Sequence, residues 1–579
     1  MATVHSLRSV KPAEPAKPLR KRALYFGPSR EQYQRLVEAF GGLPRCERLP
    51  RGEQVTRHGE LCCEWVPKLD VESLLEELRT RYVNLVVLDL RGPVESIRER
   101  AAFVFRILES LDQVGEIEER YAFHRILVLV SGSEAPVDEA VLKLGAHGVR
   151  QVLREAVFPA NDEAEREFAA RVSTTACAMM GERKKGKTAL CAAGGGLTGI
   201  FFEVGALKCI DDCLGAAGVN AFDLFFGISA GAVVNSLLAS GYSVDEVMAG
   251  IAGVPGGRIG PLDLRLMRLA HVNYQDLLER ARRAARIVWA SLAARLGREL
   301  TRRELPLFDL ADLLTPPFSS DGFERMLRAA LTAPGACNDF ARLPRPLFVG
   351  ATDQDARSHV IFGTAGFDEV PISLAVQASM SINPAFSPTY IGGRYYEDGA
   401  VTRTSNFVEA IKRGASLILV VDPFVPYVAR EAGFAGQRGL LYNIDQNVRT
   451  ISFTRYETTR DVVLRRYPEV SAYTFLPANR LRRLMAVNPM DHRPFLEIWR
   501  GAYLSTLGRL KRLEHRIAGD LAHHGFTLDT RKAEAVADQL ERVDRPQFAD
   551  FFPDQRVALR MPPLVLAPRS SGTPESSVA

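Results

Sequence analysis

Apolar runs of strand length alternate with amphipathic stretches of helix length over the first part of the chain. The runs at 22–27, 84–92 and 125–133 are largely apolar, and stretches with helical spacing of apolar residues separate and follow them. This order predicts a doubly wound α/β domain with a parallel sheet over residues 21–158. Residues 1–20 are rich in Pro, Ala and Lys, a composition typical of a disordered lead.

The order strand, glycine-rich turn, helix then appears twice in succession from residue 188 onwards. TALCAAG at 188–194 and AFDLFF at 221–226 are short apolar runs, and each passes through glycines into a helix-like stretch. Residues 188–430 are therefore predicted to form a second α/β domain, interrupted by a helical cap insertion over 255–344. The flanking parts are predicted as a helical connector over 159–187, a helical region over 431–560 and a disordered tail over 561–579.

The overall composition narrows the classes of function. A length of 579 residues exceeds one ordinary domain, and a net charge of +5 is too small to indicate a nucleic-acid partner. No apolar run of about 18 residues is present to span a membrane, and the N-terminus lacks the apolar region of a signal peptide. We therefore expect a cytoplasmic protein. The eight cysteines form no CxxC pair and no metal-binding spacing with histidine, so we expect free thiols and no bound metal. We also expect no organic cofactor.

The first glycine-rich turn contains Gly194, Gly195 and Gly196, and Gly199 follows in the helix-like stretch. Such a turn at the start of a helix directs several backbone N–H groups to one point, where the helix dipole also favours negative charge. Two ligands suit this arrangement, since the turn also satisfies GxGxxG: a dinucleotide pyrophosphate, or the oxyanion of an acyl-transfer intermediate.

The second turn reads Gly227-Ile228-Ser229-Ala230-Gly231 between a strand-like run and a helix-like run. GxSxG in this context is typical of a nucleophile elbow, in which a strained turn presents the serine hydroxyl. The flanking Gly227 and Gly231 are needed because side chains there would collide with the neighbouring backbone. Ser229 is therefore a candidate nucleophile.

A nucleophilic serine needs a base, and the sequence leaves two designs open. One is a histidine triad, in which the base would follow the serine in the chain. Six histidines do so, but none follows a strand in the expected way: His271, His359, His492, His515, His523 and His524. The other is a Ser–Asp dyad. A predicted hairpin, PTYIGGRYYEDGA, ends at Asp398-Gly399-Ala400 and supplies a carboxylate for it.

These three motifs, in this order, resemble the patatin family of lipid acyl hydrolases over about 188–254 and 345–425. The resemblance implies a three-layer α/β/α hydrolase core in which Ser229 attacks an ester of a phospholipid, lysophospholipid or acylglycerol. It implies that Asp398 accepts and returns the serine proton, and that backbone N–H groups of Gly195 and Gly196, with some contribution from Gly194, stabilise the oxyanion.

The motifs also depart from the family pattern. Ala193 and Thr198 replace an acidic and a basic residue of the family's loop, which removes a cation near the site and leaves substrate preference open. Ala400 replaces the last glycine of the aspartate motif. A catalytically silent patatin-like scaffold and a histidine-triad esterase are the alternatives to the dyad hydrolase.

The first domain resembles a response-regulator receiver domain. Asp89 lies where that family carries its phosphoacceptor, and Ser131 matches the small hydroxyl residue after a later strand. The turn after the first strand reads Gly27-Pro28-Ser29 and lacks the acidic pair that would hold Mg²⁺. We therefore expect a degenerate domain that serves regulation or homodimerisation rather than phosphorylation.

The cap insertion contains a basic amphipathic segment over 279–304. This segment contains eight arginines and only three glutamates, and apolar residues recur in it at helical spacing: Val288, Trp289, Leu292, Leu296 and Leu300. Such a segment beside a lipid-hydrolysing site can lie on an anionic membrane surface, whereas a plain cap helix with a solvated arginine face is the alternative. The expected partners are thus a lipid ester substrate and an anionic membrane, with no nucleic acid.

Overall fold

The structure is a computed structural model in which the chain forms two compact units, 1–184 and 185–579. The residues that it describes are 20–27, 30–41, 46–48, 54–58, 61–68, 70–81, 83–113, 125–156, 162–181, 185–215, 217–255, 257–265, 271–274, 278–286, 289, 316–467 and 469–552. The predicted disordered lead, apart from Arg20, and the predicted tail lie outside these residues.

The first unit is a seven-stranded sheet flanked by helices. Its strands are β1 (Arg20–Phe26), β2 (Cys46–Arg48), β3 (Gln54–His58), β4 (Leu61–Lys68), β5 (Leu85–Asp89), β6 (Ile126–Ser131) and β7 (Gln151–Glu155). Its helices are α1 (Arg30–Gly41), α2 (Val71–Thr80), α3 (Ile97–Gln113), α4 (Ala135–Ala146) and α5 (Asp162–Gly181).

The strand order in this sheet is β2-β3-β4-β1-β5-β6-β7. The five strands from β4 to β7 in this order run parallel, while β2 and β3 add an antiparallel edge. An order of β4-β1-β5-β6-β7 is the flavodoxin-like arrangement of doubly wound folds, in which the carboxyl ends of the central strands meet at one edge. The assignment as a receiver-like domain stays a prediction.

Two features of this unit differ from the sequence-based expectation. The predicted connector over 159–187 contains α5, whose Phe168, Val172 and Ala176 pack into the same core as Tyr25 and Trp65. The helix is thus part of the first unit, because its apolar face covers one side of the sheet. The stretch VDEAVLKLGAHGVRQVL at 137–153 is predicted from its apolar spacing to be one helix, but the helix ends at Ala146 and the chain turns through Gly148 at φ 93° into β7.

The second unit contains the remaining strands: β8 (Lys187–Ala192), β9 (Leu224–Ile228), β10 (Leu347–Asp353), β11 (Ser358–Phe362), β12 (Thr389–Ile391), β13 (Arg394–Asp398), β14 (Ala415–Val421) and β15 (Ser471–Phe475). Its longer helices are α6 (Gly196–Cys213), α7 (Ala230–Ala239), α8 (Val244–Ala252), α9 (Asp321–Leu331), α10 (Ile372–Met380), α11 (Phe407–Lys412), α12 (Leu440–Arg466), α13 (Asn479–Val487), α14 (Phe495–His523) and α15 (Arg531–Arg542).

These strands form one eight-stranded sheet in the order β12-β13-β10-β9-β8-β14-β15, with β11 paired to β10. Strands β10, β9, β8, β14 and β15 are parallel, and β11, β12 and β13 form an antiparallel edge. Alternate side chains of the buried strands point to opposite faces. Leu190 packs with α6, α7 and α14 in one core, whereas Cys191 packs with α11 and α12 in another. The result is a three-layer α/β/α core, as expected.

Two segments that the sequence analysis describes apart from the α/β core, 431–560 and the insertion 255–344, contribute residues to that core. The region 431–560, expected to be helical, contributes the edge strand β15, and Trp499 and Tyr503 of α14 are fully buried against the main core. Within the insertion 255–344, Phe323 and Leu327 of α9 also enter that core. No helix among the described residues is long and apolar enough to cross a membrane.

Candidate active site

Ser229 occupies the tight turn between β9 and α7. Its backbone adopts φ 52° and ψ −116°, a left-handed conformation that costs a non-glycine residue about 1–3 kcal/mol. The turn closes only because of its neighbours: a methyl group on Gly231 would overlap the backbone carbonyl of Ala192, and one on Gly227 would overlap the backbone of Ala232. The strained turn presents Ser229 at the N-terminus of α7, as the GxSxG motif predicts.

A second serine holds this turn in place. The backbone N–H of Ser229 donates to Ser379 Oγ at 2.8 Å, and Ser379 Oγ donates to the carbonyl of Gly350 at 2.6 Å. Ser379 lies on α10 and is fully buried, so it ties the turn to the central strand β10. No pattern in the sequence indicates this residue, because a serine in a helix is most often a surface or packing residue.

Strand register brings Asp398 to the same place. Gly350 of β10 lies opposite Ile228 in β9, and the next residue, Ala351, lies opposite Asp398 in β13. Strand β11 occupies the other side of β10 at both positions, so β9 and β13 follow one another along the same side. Because Ser229 directly follows Ile228, it lies next to Asp398. Gly399 permits the close approach, since a methyl group there would overlap the Gly350 carbonyl.

The Asp398 carboxyl is enclosed and hydrogen-bonded. It accepts a hydrogen bond from the Ala400 N–H at 2.8 Å, and the Ser229 hydroxyl lies near it. Burial raises the pKa of Asp398 to about 7, against the lowering effect of the Ala400 N–H and the Ser229 hydroxyl, and the nearby Glu397 raises it further. Desolvation favours the neutral form of an acid, so the carboxyl titrates near neutral pH.

The glycine loop lies beside this pair. A methyl group on Gly194 would be 3.4 Å from Ser229 Cβ, 3.5 Å from Ala400 Cβ and 4.0 Å from Ser229 Oγ. Among the described residues, none accepts a hydrogen bond from the N–H groups of Gly194, Gly195 or Gly196. Unused donors at the N-terminus of α6 are suited to an anionic oxygen.

Neighbouring segments fix the shape of this loop. Gly196 adopts φ 66°, and the Thr198 N–H donates to the carbonyl of Pro489 at 3.0 Å. Gly199 lies against Pro423 and Ala230, where a methyl group would be 3.3 Å from each. Pro489 belongs to the C-terminal region, so that region helps to position the loop.

Two of the histidines that follow Ser229 in the chain, His359 and His524, have hydrogen-bond partners other than Ser229. His359, on β11, places Nδ1 2.7 Å from Thr402 Oγ1 and Nε2 2.9 Å from Asn406 Oδ1. Burial lowers the pKa of His359 to about 4, so the ring is neutral at pH 7. Both ring nitrogens are thus engaged away from Ser229. His524 is also occupied, with Nε2 2.8 Å from Ser416 Oγ.

The described residues contain no group of three or more His, Cys, Asp or Glu side chains placed to hold a metal ion. They do contain two fully buried carboxyls that the sequence did not single out. Burial raises the pKa of Asp422 to about 7 and that of Glu203 well above its usual value, and the charge of Asp422 raises the pKa of Glu203 further. Asp422 directly precedes Pro423, which packs on the glycine loop.

In the first unit, Asp89 is enclosed by an arginine. Arg91 Nη2 lies 2.9 Å from Asp89 Oδ2, and Arg91 Nε donates to Oδ1 at 3.1 Å. The Tyr25 hydroxyl donates to Oδ2 at 2.6 Å, and Arg91 Nη1 reaches Glu155 and Glu165 at 3.1 Å. Both oxygens of the candidate phosphoacceptor are therefore occupied within the protein. Pro28 and Ser29 lie outside the described residues.

Only part of the predicted basic segment is described. Residues 278–286 are helical, Arg282, Arg283 and Arg286 are exposed, and Trp289 is 76% exposed. Residues 290–304, with Leu292, Leu296, Leu300 and the later arginines, lie outside the described residues, as does Val288.

Comparison with known proteins matches one part of the chain to a protein family. Residues 190–411 match the family described as patatin-like phospholipase. The chain is similar to a "cUMP-AMP-activated phospholipase" of Escherichia coli, with 45% identity over 60 residues, which is 10% of this chain and 18% of that protein's length. The chain thus aligns with less than a fifth of that relative.

Two solved structures show more extended but weaker similarity. VipD from Legionella pneumophila is 13% identical, covering 61% of this chain and 74% of its own, with a TM-score of 0.25. The type III effector ExoU is 15% identical, covering 64% and 71%, with a TM-score of 0.16. Scores this low add nothing on fold or activity.

The family match and the three-layer α/β/α core define the class of the second unit. The chain contains a patatin-like phospholipase domain over residues 190–411.

Proposed function

We propose that this protein is a serine acyl hydrolase that cleaves carboxylic esters of lipids with a Ser229–Asp398 dyad. The observation that carries the proposal is the position of Ser229, held in a strained turn, beside a buried carboxyl whose pKa is raised to about 7. A general base works best when its pKa lies near the working pH, because it is then ionised and still basic enough to take a proton.

In the acylation step, Ser229 Oγ attacks the ester carbonyl carbon while its proton passes to the Asp398 carboxylate. The carbonyl π electrons move to oxygen, and the resulting oxyanion accepts hydrogen bonds from the N–H groups of Gly194, Gly195 and Gly196. One such donor typically contributes about 3–4 kcal/mol to the transition state. When the C–O bond breaks, the alcohol leaves with the proton from Asp398, and the acyl group stays on Ser229.

Deacylation repeats these steps with water as the nucleophile. Asp398 takes a proton from water, the oxygen adds to the acyl carbon, and the Ser229 oxygen leaves with the proton that Asp398 held. The carboxylic acid is released and the dyad is restored. The strained turn at Ser229 keeps the hydroxyl in position for both steps, so little reorganisation is needed.

The two alternatives make different demands on these residues. A histidine-triad esterase would need an imidazole against Ser229, whereas His359 has both nitrogens hydrogen-bonded to Thr402 and Asn406. A catalytically silent scaffold would have no use for a strained serine beside a carboxyl of raised pKa. Backbone strain of this kind costs stability and has to be offset by other interactions.

The proposal is tested by fluorophosphonate labelling, which modifies only activated serines. We expect the wild-type protein to be labelled and Ser229→Ala to be unlabelled. Ser505→Ala is the matched control: Ser505 lies on α14 and only donates to the Ala502 carbonyl at 3.1 Å, so its loss should leave labelling unchanged. A folded wild-type protein that takes no label would support the silent scaffold instead.

A further inference from the structure

Exposed apolar side chains gather on one side of the second unit. Fifteen large apolar side chains are exposed among the described residues, and eight of them belong to the hairpin β12–β13, the loops after β13 and β14, and the first half of α12. We call these eight the apolar rim: Tyr390, Tyr395, Val401, Val428, Leu440, Ile444, Val448 and Ile451.

Helix α12 carries its part of the rim beyond the edge of the sheet where the dyad lies. The Tyr456 hydroxyl is 2.7 Å from Thr474 Oγ1, and Thr474 lies opposite Val420, near the carboxyl end of β14. The helix runs against the strand direction, because it leads back to the start of β15. Residues 440–455, a helical segment about 24 Å long, therefore lead away from this edge.

The hairpin extends past the same edge. Asp398 lies at the level of Ala351, and β13 runs antiparallel to β10, so the hairpin turn lies about 14 Å beyond Asp398 at 3.4 Å per residue. The rings of Tyr390 and Tyr395 pack together near this turn with their centroids 5.0 Å apart. Both tyrosines are about half exposed or more.

The helix and the dyad loop are in direct contact. Arg455 of α12 donates to the carbonyls of Ala400 at 3.1 Å and Val401 at 3.2 Å. Val401 is itself exposed and lies three residues after Asp398. The apolar stripe on α12 is thus continuous with the loop that holds the proposed base.

The composition of the part of the apolar rim on α12 indicates what kind of surface covers it. Leu440, Ile444, Val448 and Ile451 recur at helical spacing on one face, and the exposed positions beside them are Asn447, Thr450 and Thr454, none of which is charged. The nearest carboxylate, Asp445, is neutralised by Arg449 at 2.8 Å. A protein partner covering this face would also close the way to the dyad.

We infer that the apolar rim docks on the surface of a phospholipid bilayer and so lets a lipid ester pass from the membrane to Ser229. This inference rests on the lipid ester hydrolysis proposed above. Ser229 and Asp398 are almost fully buried, so an ester carried by a membrane lipid reaches them only if the site opening faces that membrane. Exposed tyrosines at the rim suit the headgroup layer, where aromatic rings with a polar end accumulate.

The test measures binding to phosphatidylcholine vesicles in a Ser229→Ala background, so that no lipid is consumed. The rim variant is Leu440→Asp with Ile451→Asp. The matched control is Val462→Asp, an equally exposed valine on the other half of the same helix. We expect the rim variant to bind at least about tenfold more weakly, as for the loss of one or two inserted aliphatic side chains, and the control to bind like its parent.

The same substitutions in the active protein should lower hydrolysis of vesicle lipid in parallel, yet leave hydrolysis of a soluble short-chain ester within about twofold, since no interface is then needed. The inference is overturned if wild-type protein does not bind vesicles, if the rim variant binds as well as the control, or if soluble-ester hydrolysis falls equally. It is also overturned if sedimentation shows a lipid-free dimer that the rim variant dissociates.

These outcomes are separable from failure of the proposed function. If wild-type protein hydrolyses neither substrate, the dyad proposal fails, while binding by the Ser229→Ala protein still tests the rim. Salt adds a further distinction: binding through apolar side chains should persist at high salt, whereas binding through the arginines of 279–304 should not.

Discussion

Ser229 and Asp398 meet at consecutive positions along one side of β10, since Gly350 pairs with Ile228, the residue before Ser229, and Ala351 pairs with Asp398. Three strands must therefore pair in the right register before the two groups meet. A slip of one residue in the β10–β13 pairing would turn the Asp398 side chain to the opposite face of the sheet, and a slip in the β9–β10 pairing would displace Ser229.

The first prediction concerns the dyad. Ser229→Ala and Asp398→Asn should each remove nearly all esterase activity without unfolding the protein, and the double variant should be little worse than either, because the two residues act as a unit. Esterase rates measure the loss of activity, and circular dichroism of each variant shows whether it stays folded.

Replacement of each of the six histidines after Ser229 serves as the control for that prediction. Turnover should stay within about tenfold of wild type, since loss of a general base typically costs about 10²–10⁴. A single histidine variant as inactive as Asp398→Asn would replace the dyad by a triad.

The second prediction concerns pH. In the proposed mechanism Asp398 must be ionised to take the serine proton, and its pKa is raised to about 7. Therefore kcat/KM should rise with pH through an apparent pKa near 7 and level off above it. A profile already flat from pH 5 upwards would mean that the base is a group with an ordinary carboxyl pKa.

The raised pKa of Asp398 also links pH to stability. The neutral form of Asp398 is favoured in the folded state. Its contribution to the stability of the fold is therefore fully present below 3.8, the pKa in the unfolded state, and is lost as pH rises through about 7, the pKa in the folded state. Asp398→Asn should thus unfold at a similar temperature at pH 4 but be more stable at pH 8.5, by up to about 4 kcal/mol. Equal unfolding curves at both pH values would argue against a buried ionisation.

The third prediction separates two kinds of glycine. Gly194→Ala places a methyl group at ordinary contact distance from Ser229 Cβ and Ala400 Cβ, so the protein should fold, yet the methyl group occupies space beside Ser229 Oγ. Activity should fall by about tenfold or more, because the oxyanion can no longer approach the loop. Gly231→Ala should instead prevent stable folding, since its methyl group would overlap the backbone of Ala192.

Thermal unfolding and ester hydrolysis of both variants test this distinction. Full activity in Gly194→Ala would mean that the substrate carbonyl does not lie beside Gly194. A stable Gly231→Ala protein would mean that the turn at Ser229 has more room than the structure allows.

The fourth prediction concerns the first unit. Asp89 should not accept phosphate from acetyl phosphate with Mg²⁺, because Arg91 and Tyr25 occupy both of its oxygens. Asp89→Ala should destabilise the unit by about 3–5 kcal/mol, since it leaves the buried Arg91 with less compensation. A phosphorylated species that disappears in Asp89→Asn would contradict this and restore a signalling role.

The fifth prediction concerns the segment 279–304. Its five net positive charges should bind vesicles rich in anionic lipid, each arginine contributing about 1 kcal/mol near the surface, and binding should fall steeply with salt. Charge reversal at Arg295, Arg298 and Arg302 should weaken vesicle binding and hydrolysis of vesicle lipid together, but spare a soluble ester. Equal losses on both substrates, or binding that ignores salt, would favour a plain cap helix.

The sequence by itself determined the second unit's local chemistry. The turns at Gly194–Gly196 and Ser229 lie between a strand and a helix as expected, because glycine spacing and the change from strand to helix periodicity are local properties. The pattern around Asp398 likewise predicted a hairpin, and β12 and β13 form it. These motifs and the family they resemble therefore followed from the residues alone.

Only the tertiary structure decided how these pieces combine. Register along β10 brings Asp398 to Ser229, and burial by distant elements raises the pKa of Asp398; neither is encoded within a short window. The predicted helical connector and C-terminal region proved to supply α5 and β15 to the two cores, because their apolar faces have no partner until the sheets form. Ser379 and the apolar rim were likewise invisible in the sequence, since hydrogen-bond partners and exposure depend on which distant segments pack nearby.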